Sequence, residues 1–400
     1  MKSTGIFSKR YLIHEQLGAG GEGVVFRATD RLTTQTVAIK RIRLAGEEDE
    51  ISRASQLTDA SRKILIAHEF QTLASLRHPN IISVLDYGFT FEGDENIPYF
   101  VMEYLPRAQS IIEAGQTLSQ PQKISLLIQM LQALHYLHQR GILHRDLKPA
   151  NALILNGRLK LLDFGLSSYL EKARGTSGTL PYMPPEYMQD EPLTPASDLY
   201  SVGVMGYELL AGYHPFRLAD PSRLVMDILF TEPSLEGVDV LPGIARIVEK
   251  LLAKSPEERY QTAQEVILAF STALNQPPPP ETEAIRESFL RQATFVGRKT
   301  ELDQLKRSLE DIKTQTFSAP RAWLIGGESG VGKSRFLQEF RAQALVRGSL
   351  VLQGSVAEHA SPYQLWHDPL RLLAVLTDVE EEQAGVLKAI VPDIERVLPG

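Results

Sequence analysis

The 400-residue chain contains 43% hydrophobic and 23% charged residues, a globular composition that excludes a disordered or fibrous protein and allows two or three domains. A net charge of −7 argues against a nucleic-acid partner bound through bulk positive charge, and the absence of cysteine excludes disulfides, thiolate metal sites and a cysteine nucleophile. No apolar signal segment opens the chain, and the longest uncharged helical stretch, residues 124–139, is too short and too polar to span a membrane. We therefore expect a cytoplasmic protein without a membrane segment.

Two lobes are predicted in the first part of the chain. Residues 11–105 are rich in β-branched residues and turns, which predicts a small strand-rich lobe. Residues 118–274 repeat apolar residues at spacings of three and four, which predicts a larger helical lobe. Within the helical lobe, Ser119 and Gln122 form a capping-box pattern at the start of an amphipathic helix, and Gly141 ends it.

Four consecutive prolines at residues 277–280 predict a linker, because proline favours an extended backbone and cannot continue a helix. Before them, residues 255–274 read as an amphipathic helix that ends the first folded unit. After them, a charged stretch precedes a new pattern. We expect a tail at residues 1–10, a first domain at 11–273, a proline-rich linker at 274–292 and a second domain at 293–400.

Residues 18–25 fit the pattern G-x-G-x-x-G-x-V, in which Gly18, Gly20 and Gly23 permit close approach of a backbone to phosphate groups. An ordinary glycine-rich hairpin has the same pattern. A dinucleotide-binding turn is the other alternative, but that turn follows a strand and opens a helix. Here strand-type residues lie on both sides, which favours a phosphate-covering hairpin in which Val25 packs on an adenine face.

Further motifs follow in a fixed order. A Val-Ala-Ile-Lys strand ends at Lys40, 17 residues after Gly23. His-Arg-Asp-Leu-Lys-Pro-Ala-Asn occupies residues 144–151, Asp-Phe-Gly occupies residues 163–165, and Met-Pro-Pro-Glu occupies residues 183–186. Together with the glycine-rich loop, these motifs resemble the protein kinase family over about residues 11–273. The resemblance implies an α+β bilobal kinase fold with a strand-rich small lobe and a helical large lobe.

The family's chemistry depends on positioning and charge neutralisation. The resemblance implies that ATP and Mg²⁺ are the cofactors and that Lys40 holds the α- and β-phosphates. Asn151 and Asp163 are expected to hold Mg²⁺, which prefers hard oxygen ligands. Asp146 is expected to accept the proton of the substrate hydroxyl or to orient that hydroxyl, and Lys148 to neutralise the γ-phosphate, as is typical of Ser/Thr kinases.

Other positions follow from the same resemblance. The adenine is expected to meet the backbone of Glu103 and Leu105, in the hinge after Met102. Asp198 and Arg259 stand where the family has structural residues, and His144 is expected to be a packed scaffold residue rather than a base. His135 and His138 are expected to be surface or interface groups on the amphipathic helix. The glycine-rich loop is expected to contact the nucleotide through Leu17, Gly18, Gly20, Gly23 and Val25.

The ion-pair partner of Lys40 has two candidates, because a long polar stretch follows this lysine. The acidic cluster at residues 47–50 is nearer in sequence. Glu69, however, lies in a helix-like segment at about residues 61–76, directly before a His-Pro-Asn turn at residues 78–80. We therefore predict Glu69 as the partner and read the acidic cluster as a solvated loop.

A second glycine motif occurs in the second domain. Residues 322–325 read as a short buried strand, and residues 327–334 satisfy G-x-x-x-x-G-K-S before a helix-like run. Strand, loop and helix are the expected context of a phosphate-binding P-loop. Backbone N–H groups at a helix N-terminus bind phosphate, Lys333 reaches the β- and γ-phosphates, and Ser334 ligates Mg²⁺. The loop is built from Gly327, Gly330, Gly332, Lys333 and Ser334.

Residues 295–302 resemble the opening segment of AAA-like ATPases of the signal-transducing type. No Walker B strand is evident between residues 335 and 400, and residues 370–376 have the spacing of a helix. We expect an incomplete α/β P-loop NTPase domain that is truncated at residue 400, and further C-terminal domains in a longer protein. Hydrolysis of ATP by this module is not predicted.

These features predict a serine/threonine protein kinase that acts on protein Ser/Thr hydroxyls in intracellular signalling and is linked to a nucleotide-binding regulatory ATPase module. The alternative is a nucleotide-switched signalling scaffold in which the kinase fold mainly docks partners. The presence of each expected catalytic residue argues against that alternative. A small-molecule kinase is disfavoured by the Gly-Thr pair at residues 178–179 and the Pro-Pro-Glu segment, which shape a peptide platform in the family.

The resemblance implies that the segment between Asp163 and Glu186 is controlled by phosphorylation, because kinases with an Arg-Asp pair such as Arg145-Asp146 commonly use a phosphorylated activation loop. The alternative is a loop that is ordered without modification. Thr179 suits a hydrogen bond to the catalytic loop, and Ser167 and Ser168 lie close to the Mg²⁺-binding end. The remaining candidates for autophosphorylation are Thr176 and Ser177, which lie near the basic residues Lys172 and Arg174.

Overall fold

The computed structural model describes residues 6–7, 9–20, 23–42, 76–92, 95–163, 180–279, 297–313, 322–347, 349–356, 362–377, 379–391 and 394–396. These residues form two compact units. The first contains the small-lobe sheet together with residues 293–400, and the second contains residues 76–83 and 105–292. Among the described residues, no helix combines the length and the apolar character that a bilayer-spanning segment requires.

The strand-rich small lobe that the sequence predicts is a six-stranded antiparallel sheet with the order β1-β2-β3-β4-β6-β5. Alternating apolar residues bury one face, where Tyr11, Ile39 and Val101 belong to a single apolar core. Each strand pairs with its neighbour through a hairpin except where β4 pairs with β6. The strands are β1 (Ile6–Phe7), β2 (Tyr11–Gly20), β3 (Gly23–Asp30), β4 (Thr36–Ile42), β5 (Val84–Glu92) and β6 (Glu95–Glu103).

The second unit is mainly helical, as predicted, with a small sheet of order β7-β8-β9. Its strands are β7 (Gln109–Ser110), β8 (Ala152–Leu155) and β9 (Arg158–Leu161). Its helices are α1 (Ile111–Gly115), α2 (Gln120–His138), α3 (Pro185–Met188), α4 (Pro195–Ala211), α5 (Pro221–Phe230), α6 (Pro242–Leu251) and α7 (Ala263–Ala273).

Helix α4 lies at the centre of this unit, and nearly all of its residues are buried. Gly203 explains how closely α6 approaches, since a Cβ at this position would lie 2.8 Å from the Cβ of Leu251. Helix α2 starts as the capping box predicts, because the backbone N–H of Ser119 donates to Gln122 Oε1 at 2.9 Å. Gly141, with φ at 68°, follows the end of α2.

The predicted helix over residues 255–274 is wrong in its first part. Helix α7 begins only at Ala263, and Thr262 caps it by accepting a hydrogen bond from the backbone N–H of Glu265 at 3.2 Å. Residues 256–258 form a single 3₁₀ turn. The reason is tertiary, because Arg259 is fully buried against a glutamate 73 positions away and cannot take an outward place on a surface helix.

The described part of residues 297–396 consists of helices joined by extended segments. They are α8 (Lys299–Lys313), α9 (Lys333–Val346), α10 (Gln364–Leu376) and α11 (Glu381–Ile390). Helices α8 and α9 share an apolar core that includes Leu302, Leu305 and Phe336. The helix predicted for residues 370–376 is confirmed as the second half of α10.

The predicted buried strand at residues 322–325 is wrong. These residues form no strand, and the Leu324 side chain is 98% exposed. A strand needs a neighbour for its backbone N–H and C=O groups, and the structure describes no strand within residues 297–396 that pairs with this segment.

Candidate active site and phosphate-binding loop

The glycine-rich motif is the turn of the β2–β3 hairpin, where Gly20 pairs with Gly23. Strands therefore lie on both sides of the motif, as predicted, and no helix follows it. Leu17 and the backbone at Gly18 and Gly20 are exposed, and Val25 is half-buried. The hairpin thus leaves the backbone at Gly18 and Gly20 and the apolar side chains of Leu17 and Val25 at least partly accessible.

The fold requires glycine at one position of this hairpin but not at the other two. Gly23 has φ at 149°, and a Cβ here would lie 1.9 Å from the carbonyl oxygen of Arg41. No heavy atom lies within 4 Å of the corresponding position at Gly18 or Gly20. The fold accordingly needs Gly23, whereas the open space at Gly18 and Gly20 is available to a bound molecule.

Lys40 lies on β4 directly opposite Val25 of β3. Residues opposite one another in antiparallel strands share a face, so the lysine and the valine point to the same side of the sheet. The side chain of Lys40 is buried, and its ammonium group lies 5.9 Å from the centre of the Phe100 ring. A lysine with this little exposure is not a solvated strand end.

Glu103 ends β6 and is half-buried, as is Leu105 two residues later. Both therefore lie where the chain leaves the sheet, which is where a hinge is expected. Glu69, the predicted partner of Lys40, lies outside the described residues, as do Thr176 and Ser177.

Three predicted residues meet in the catalytic loop. The amide nitrogen of Asn151 donates to Asp146 Oδ2 at 2.9 Å, and Lys148 Nζ lies 2.6 Å from the same oxygen. Among the described residues, both donors therefore engage the same oxygen, Oδ2, of Asp146. Because its nitrogen is committed to Asp146, Asn151 offers its amide oxygen to a cation.

A hairpin joins the two expected metal ligands. Asn151 directly precedes β8, Asp163 follows β9, and β8 pairs with β9 so that Ala152 lies opposite Leu161. The backbone N–H of Leu162 then donates to the carbonyl oxygen of Asn151 at 2.9 Å. Asp163 comes next in the chain, with φ at 52°. The oxygen donors of Asn151 and Asp163 thus belong to one end of one hairpin and suit a hard cation such as Mg²⁺.

Asp198 holds the backbone of the catalytic loop. Its carboxylate accepts the backbone N–H groups of His144 at 2.8 Å and of Arg145 at 2.9 Å, and Arg145 has φ at 67°. His138 Nε2 lies 2.8 Å from the same carboxylate. Burial by itself would raise the pKa of Asp198, but these hydrogen bonds outweigh burial and hold that pKa below its ordinary value.

The sequence did not predict the role of His138. Its side chain is only 9% exposed and is directed at Asp198, a specific partner that the expectation of a surface or interface group did not name. The contact joins residues 60 positions apart, so no local sequence pattern predicts it. His144 is buried, as expected of a scaffold residue, and burial lowers its pKa.

Glu186 of the Pro-Pro-Glu segment and Arg259 form a buried two-point ion pair, with both nitrogen–oxygen distances at 2.8 Å. Ser197 also donates to Glu186 at 2.7 Å. Burial by itself would raise the pKa of Glu186, but the hydrogen bonds and the charge of Arg259 lower it below its usual range. This pair anchors the platform segment to the helical lobe and accounts for the structural role expected of Arg259.

The second glycine motif forms a loop at the start of α9. Lys333 is the first residue of this helix, and its ammonium group donates to the carbonyl oxygens of Gly327 at 2.7 Å and Glu328 at 2.8 Å. Gly330 and Gly332 have φ at 80° and 93°, a region that favours glycine. Ser334 is exposed in the first turn. The lysine folded over the loop and the helix N-terminus together suit a phosphate group.

Arg298 was not among the predicted site residues. It donates from Nη2 to the carbonyl oxygen of Val331 at 2.9 Å and thus braces the glycine-rich loop from the start of α8. The resemblance of residues 295–302 to an ATPase segment was the available signal for this contact.

Comparison with known families identifies two domains in the chain. Residues 11–269 match the protein kinase domain, and residues 294–397 match the AAA ATPase domain. A probable serine/threonine-protein kinase of Streptomyces coelicolor is 34% identical over 289 residues, which is 69% of this chain and 42% of the relative.

The serine/threonine-protein kinase PknB of Mycolicibacterium smegmatis is 32% identical over 337 residues, or 80% of this chain and 52% of the relative. PknB of Mycobacterium tuberculosis is 31% identical over 310 residues, or 73% of this chain and 48% of the relative. The chain thus spans about half the length of the curated relatives it matches.

Proposed function

The chain belongs to the protein kinase family, and we propose that its first domain transfers the γ-phosphate of ATP to serine and threonine hydroxyls of proteins. The observation that carries this proposal is the catalytic loop, where Asp146 Oδ2 accepts hydrogen bonds from Asn151 and Lys148. In the proposed reaction, Oδ1 meets the substrate hydroxyl. The names of the relatives support serine/threonine specificity.

Each remaining residue has a role in the proposed reaction. Lys40 holds the α- and β-phosphates, with Glu69 as its partner, while Leu17, Gly18, Gly20, Gly23 and Val25 cover the nucleotide. Glu103 and Leu105 contact adenine through their backbone. Mg²⁺ would be held by Asn151 and Asp163 and would neutralise charge on the phosphates. Asp146 positions the hydroxyl, and Lys148 compensates charge on the transferred group.

The experiment is the substitution Asp146→Asn. It keeps the size of the side chain but removes the carboxylate that accepts the proton, so we expect phosphoryl transfer to fall by about 10²- to 10⁴-fold. Binding of an ATP analogue should change little, because Asp146 does not hold the phosphates. Steady-state kinetics on a protein substrate panel measures the first quantity, and equilibrium titration measures the second.

Asp239→Asn is the matched control, since Asp239 is exposed and lies outside the site. Asp146→Asn protein that keeps more than about a third of wild-type turnover, with contaminating kinases excluded, would contradict the proposed role, which predicts a loss of about 10²-fold or more. If both the variant and the wild type lack transferase activity but bind partners in a nucleotide-dependent way, the scaffold function is favoured instead.

Autophosphorylation at Thr176 or Ser177 is a further part of the proposal. A phosphate there carries about −1.5 to −2 charges and pairs with Arg145, and with Lys172 and Arg174 nearby in sequence, so the segment becomes ordered for catalysis. We expect the double variant Thr176→Ala/Ser177→Ala to lose the rise in activity that follows incubation with Mg-ATP. Phosphosite mapping and activity time courses test this, and full activity of the double variant rejects it.

We also propose that residues 327–334 bind a nucleoside triphosphate in a regulatory module. The Lys333 ammonium group on the carbonyl oxygens of Gly327 and Glu328 supports this proposal, because it holds the lysine over the loop at the helix N-terminus.

A further inference from the structure

Arg341 of α9 reaches the small-lobe sheet. Its Nη2 lies 3.4 Å from Asp86 Oδ1 on β5, and its guanidinium carbon lies 5.8 Å from the centre of the Tyr87 ring. Glu339 of the same helix contributes to the raised pKa of Tyr87, for which burial is the main cause. One face of α9 therefore packs against β5, although 255 positions separate Asp86 from Arg341 in the sequence.

Asp86 belongs to the small lobe's own ionic network. Arg10 Nη1 pairs with Asp86 Oδ2, and the hydroxyl of Tyr11 donates to the same oxygen at 3.2 Å. Arg341 approaches the other oxygen, Oδ1. Asp86 therefore keeps a cationic partner without Arg341, and the small lobe does not need α9 to neutralise this carboxylate.

A second contact lies at the β3–β4 turn. Leu32 of this turn packs against an apolar cluster of Ala374, Val375, Val391 and Ile394, which lie on α10 and just after α11. A leucine at a hairpin turn normally faces water. Leu32 is instead half-buried, so the turn contributes an apolar side chain to the core of the P-loop module.

We propose that this face of the small-lobe sheet is a docking surface for the chain's own P-loop module. Leu32 is the apolar contact, and Asp86 with Tyr87 is the polar contact. The partner is set by continuity of the chain and by charge complementarity between Asp86 and Arg341. The docking itself does not depend on either proposed nucleotide-binding function.

The two contacts place the docking surface between the P-loop and the strand that leads to the glycine-rich hairpin. Helix α9 begins at Lys333 in the phosphate-binding loop and reaches β5 at Arg341, about two helical turns later. Asp86 in turn holds Arg10 and Tyr11, at the start of the strand that runs to the glycine-rich loop. A movement of α9 on nucleotide binding would therefore reach the strand that carries the first domain's phosphate loop.

The chain has no cysteine, so a thiol introduced by Leu32→Cys in the full protein is a single reporter of the apolar contact. Its alkylation by a maleimide is compared in the wild-type and Arg341→Glu backgrounds. Glutamate at 341 opposes Asp86, so docking weakens and the alkylation rate should rise by about three- to fivefold. Docking of the module as one body couples position 341 to the thiol at position 32, because the two positions contact different helices of the module.

Arg307→Glu is the matched control, since it makes the same charge change on α8, where Arg307 contacts only a carbonyl oxygen of its own helix among the described residues. A thiol placed instead at exposed Leu218 of the helical lobe reports the intrinsic alkylation rate, which should be the same in both backgrounds. An unchanged alkylation rate at position 32 in Arg341→Glu overturns the proposal.

Two further measurements make the test independent of the thiol. Hydrogen exchange of residues 31–35 should accelerate in Arg341→Glu and not in Arg307→Glu, and equal exchange in both variants overturns the proposal. Dilution of the protein should leave the alkylation rate unchanged, because the contact is intramolecular. Protection that disappears on dilution would assign the surface to a second copy and overturn docking within the chain.

Discussion

At the scale of single residues, the glycines of the glycine-rich hairpin fall into two kinds: one that the fold requires and others that leave space for a ligand. Gly23 adopts a left-handed backbone and lies against the carbonyl oxygen of Arg41, so any side chain there is strained. Gly18 has open space around its Cβ position. The same residue type therefore serves two different purposes within six positions of the chain.

This difference is testable with one substitution at each position. Gly23→Ala should lower the free energy of unfolding by more than about 1 kcal/mol, because alanine cannot adopt the native backbone conformation without strain. Gly18→Ala should leave stability within about 0.5 kcal/mol, as expected of an exposed site. It should raise the KM for ATP, because the added methyl group occupies space next to the phosphates.

Thermal unfolding and ATP-dependent kinetics measure the two effects. Equal destabilisation by both substitutions would mean that the fold requires glycine at position 18 as well, which contradicts the open space found around Gly18. An unchanged KM for ATP in a stable Gly18→Ala protein would show that the nucleotide does not approach this glycine.

At the scale of elements, the segment around the His-Pro-Asn turn attaches to the helical lobe through a neutral histidine. The backbone N–H of Asn80 donates to His78 Nδ1 at 3.1 Å, and the ring packs 5.0 Å from the Tyr136 ring. Asn80 in turn donates to the carbonyl oxygen of Leu159 at 3.0 Å. Protonation of Nδ1 would place a donor against a donor.

This histidine predicts a pH dependence of stability. Burial, followed by the charges of Arg140 and Lys160, lowers the pKa of His78 to about 3. An unfolded histidine titrates near pH 6.5, so below that pH the unfolded state binds an additional proton. The contribution of His78 is complete above about pH 6.5 and is lost as the pH falls from there towards about 3, by up to about 1.4 kcal/mol per pH unit.

His78→Asn keeps an acceptor near the position of Nδ1 and cannot titrate in this range. Hydrogen exchange of the α2 amides between pH 5 and 8, corrected for intrinsic rates, should show a smaller loss of stability at low pH in the variant. Comparison at pH 8 separates the loss of ring packing from the effect of protonation. Identical pH slopes in the two proteins would rule out this role for His78.

The elements that the sequence predicts well are those whose signals are local. The β2–β3 hairpin follows from glycines between two strand-type segments, and the start of α2 follows from Ser119 and Gln122. The meeting of Asn151 with Asp146 and Lys148 is likewise encoded within one short loop. In each case the contacting residues are at most a few positions apart.

The errors have a common physical origin in contacts between distant residues. Residues 255–262 do not continue α7, because Arg259 is drawn into the core by Glu186. His138, for which no partner was predicted, contacts Asp198 60 positions away. Residues 322–325 have the composition of a buried strand, but a strand also needs a pairing partner, which composition does not specify.

At the scale of the whole molecule, the chain carries two glycine-rich loops of different construction, each proposed to bind phosphate. In the first domain, the loop is the turn of an antiparallel hairpin, and the lysine comes from the next strand, with Lys40 opposite Val25. In the P-loop module, the lysine belongs to the loop and starts the helix. Because each loop brings its own lysine, loss of one lysine should leave the other loop intact.

The last prediction follows from this independence. Lys40→Met should abolish phosphoryl transfer by the first domain and leave nucleotide bound at the P-loop. Lys333→Ala should remove nucleotide from the P-loop, because the ammonium group over Gly327 and Glu328 is lost, and should leave phosphoryl transfer measurable. Lys306→Ala is the control, since Lys306 pairs only with Asp303 of its own helix among the described residues.

Equilibrium dialysis with a labelled ATP analogue gives the stoichiometry for the full protein, and a kinase assay gives the activity. The wild type and Lys306→Ala should bind one more equivalent than Lys333→Ala. Equal stoichiometry in all three proteins would mean that residues 327–334 do not bind nucleotide, whereas loss of both equivalents in Lys333→Ala would mean that the two sites are not independent.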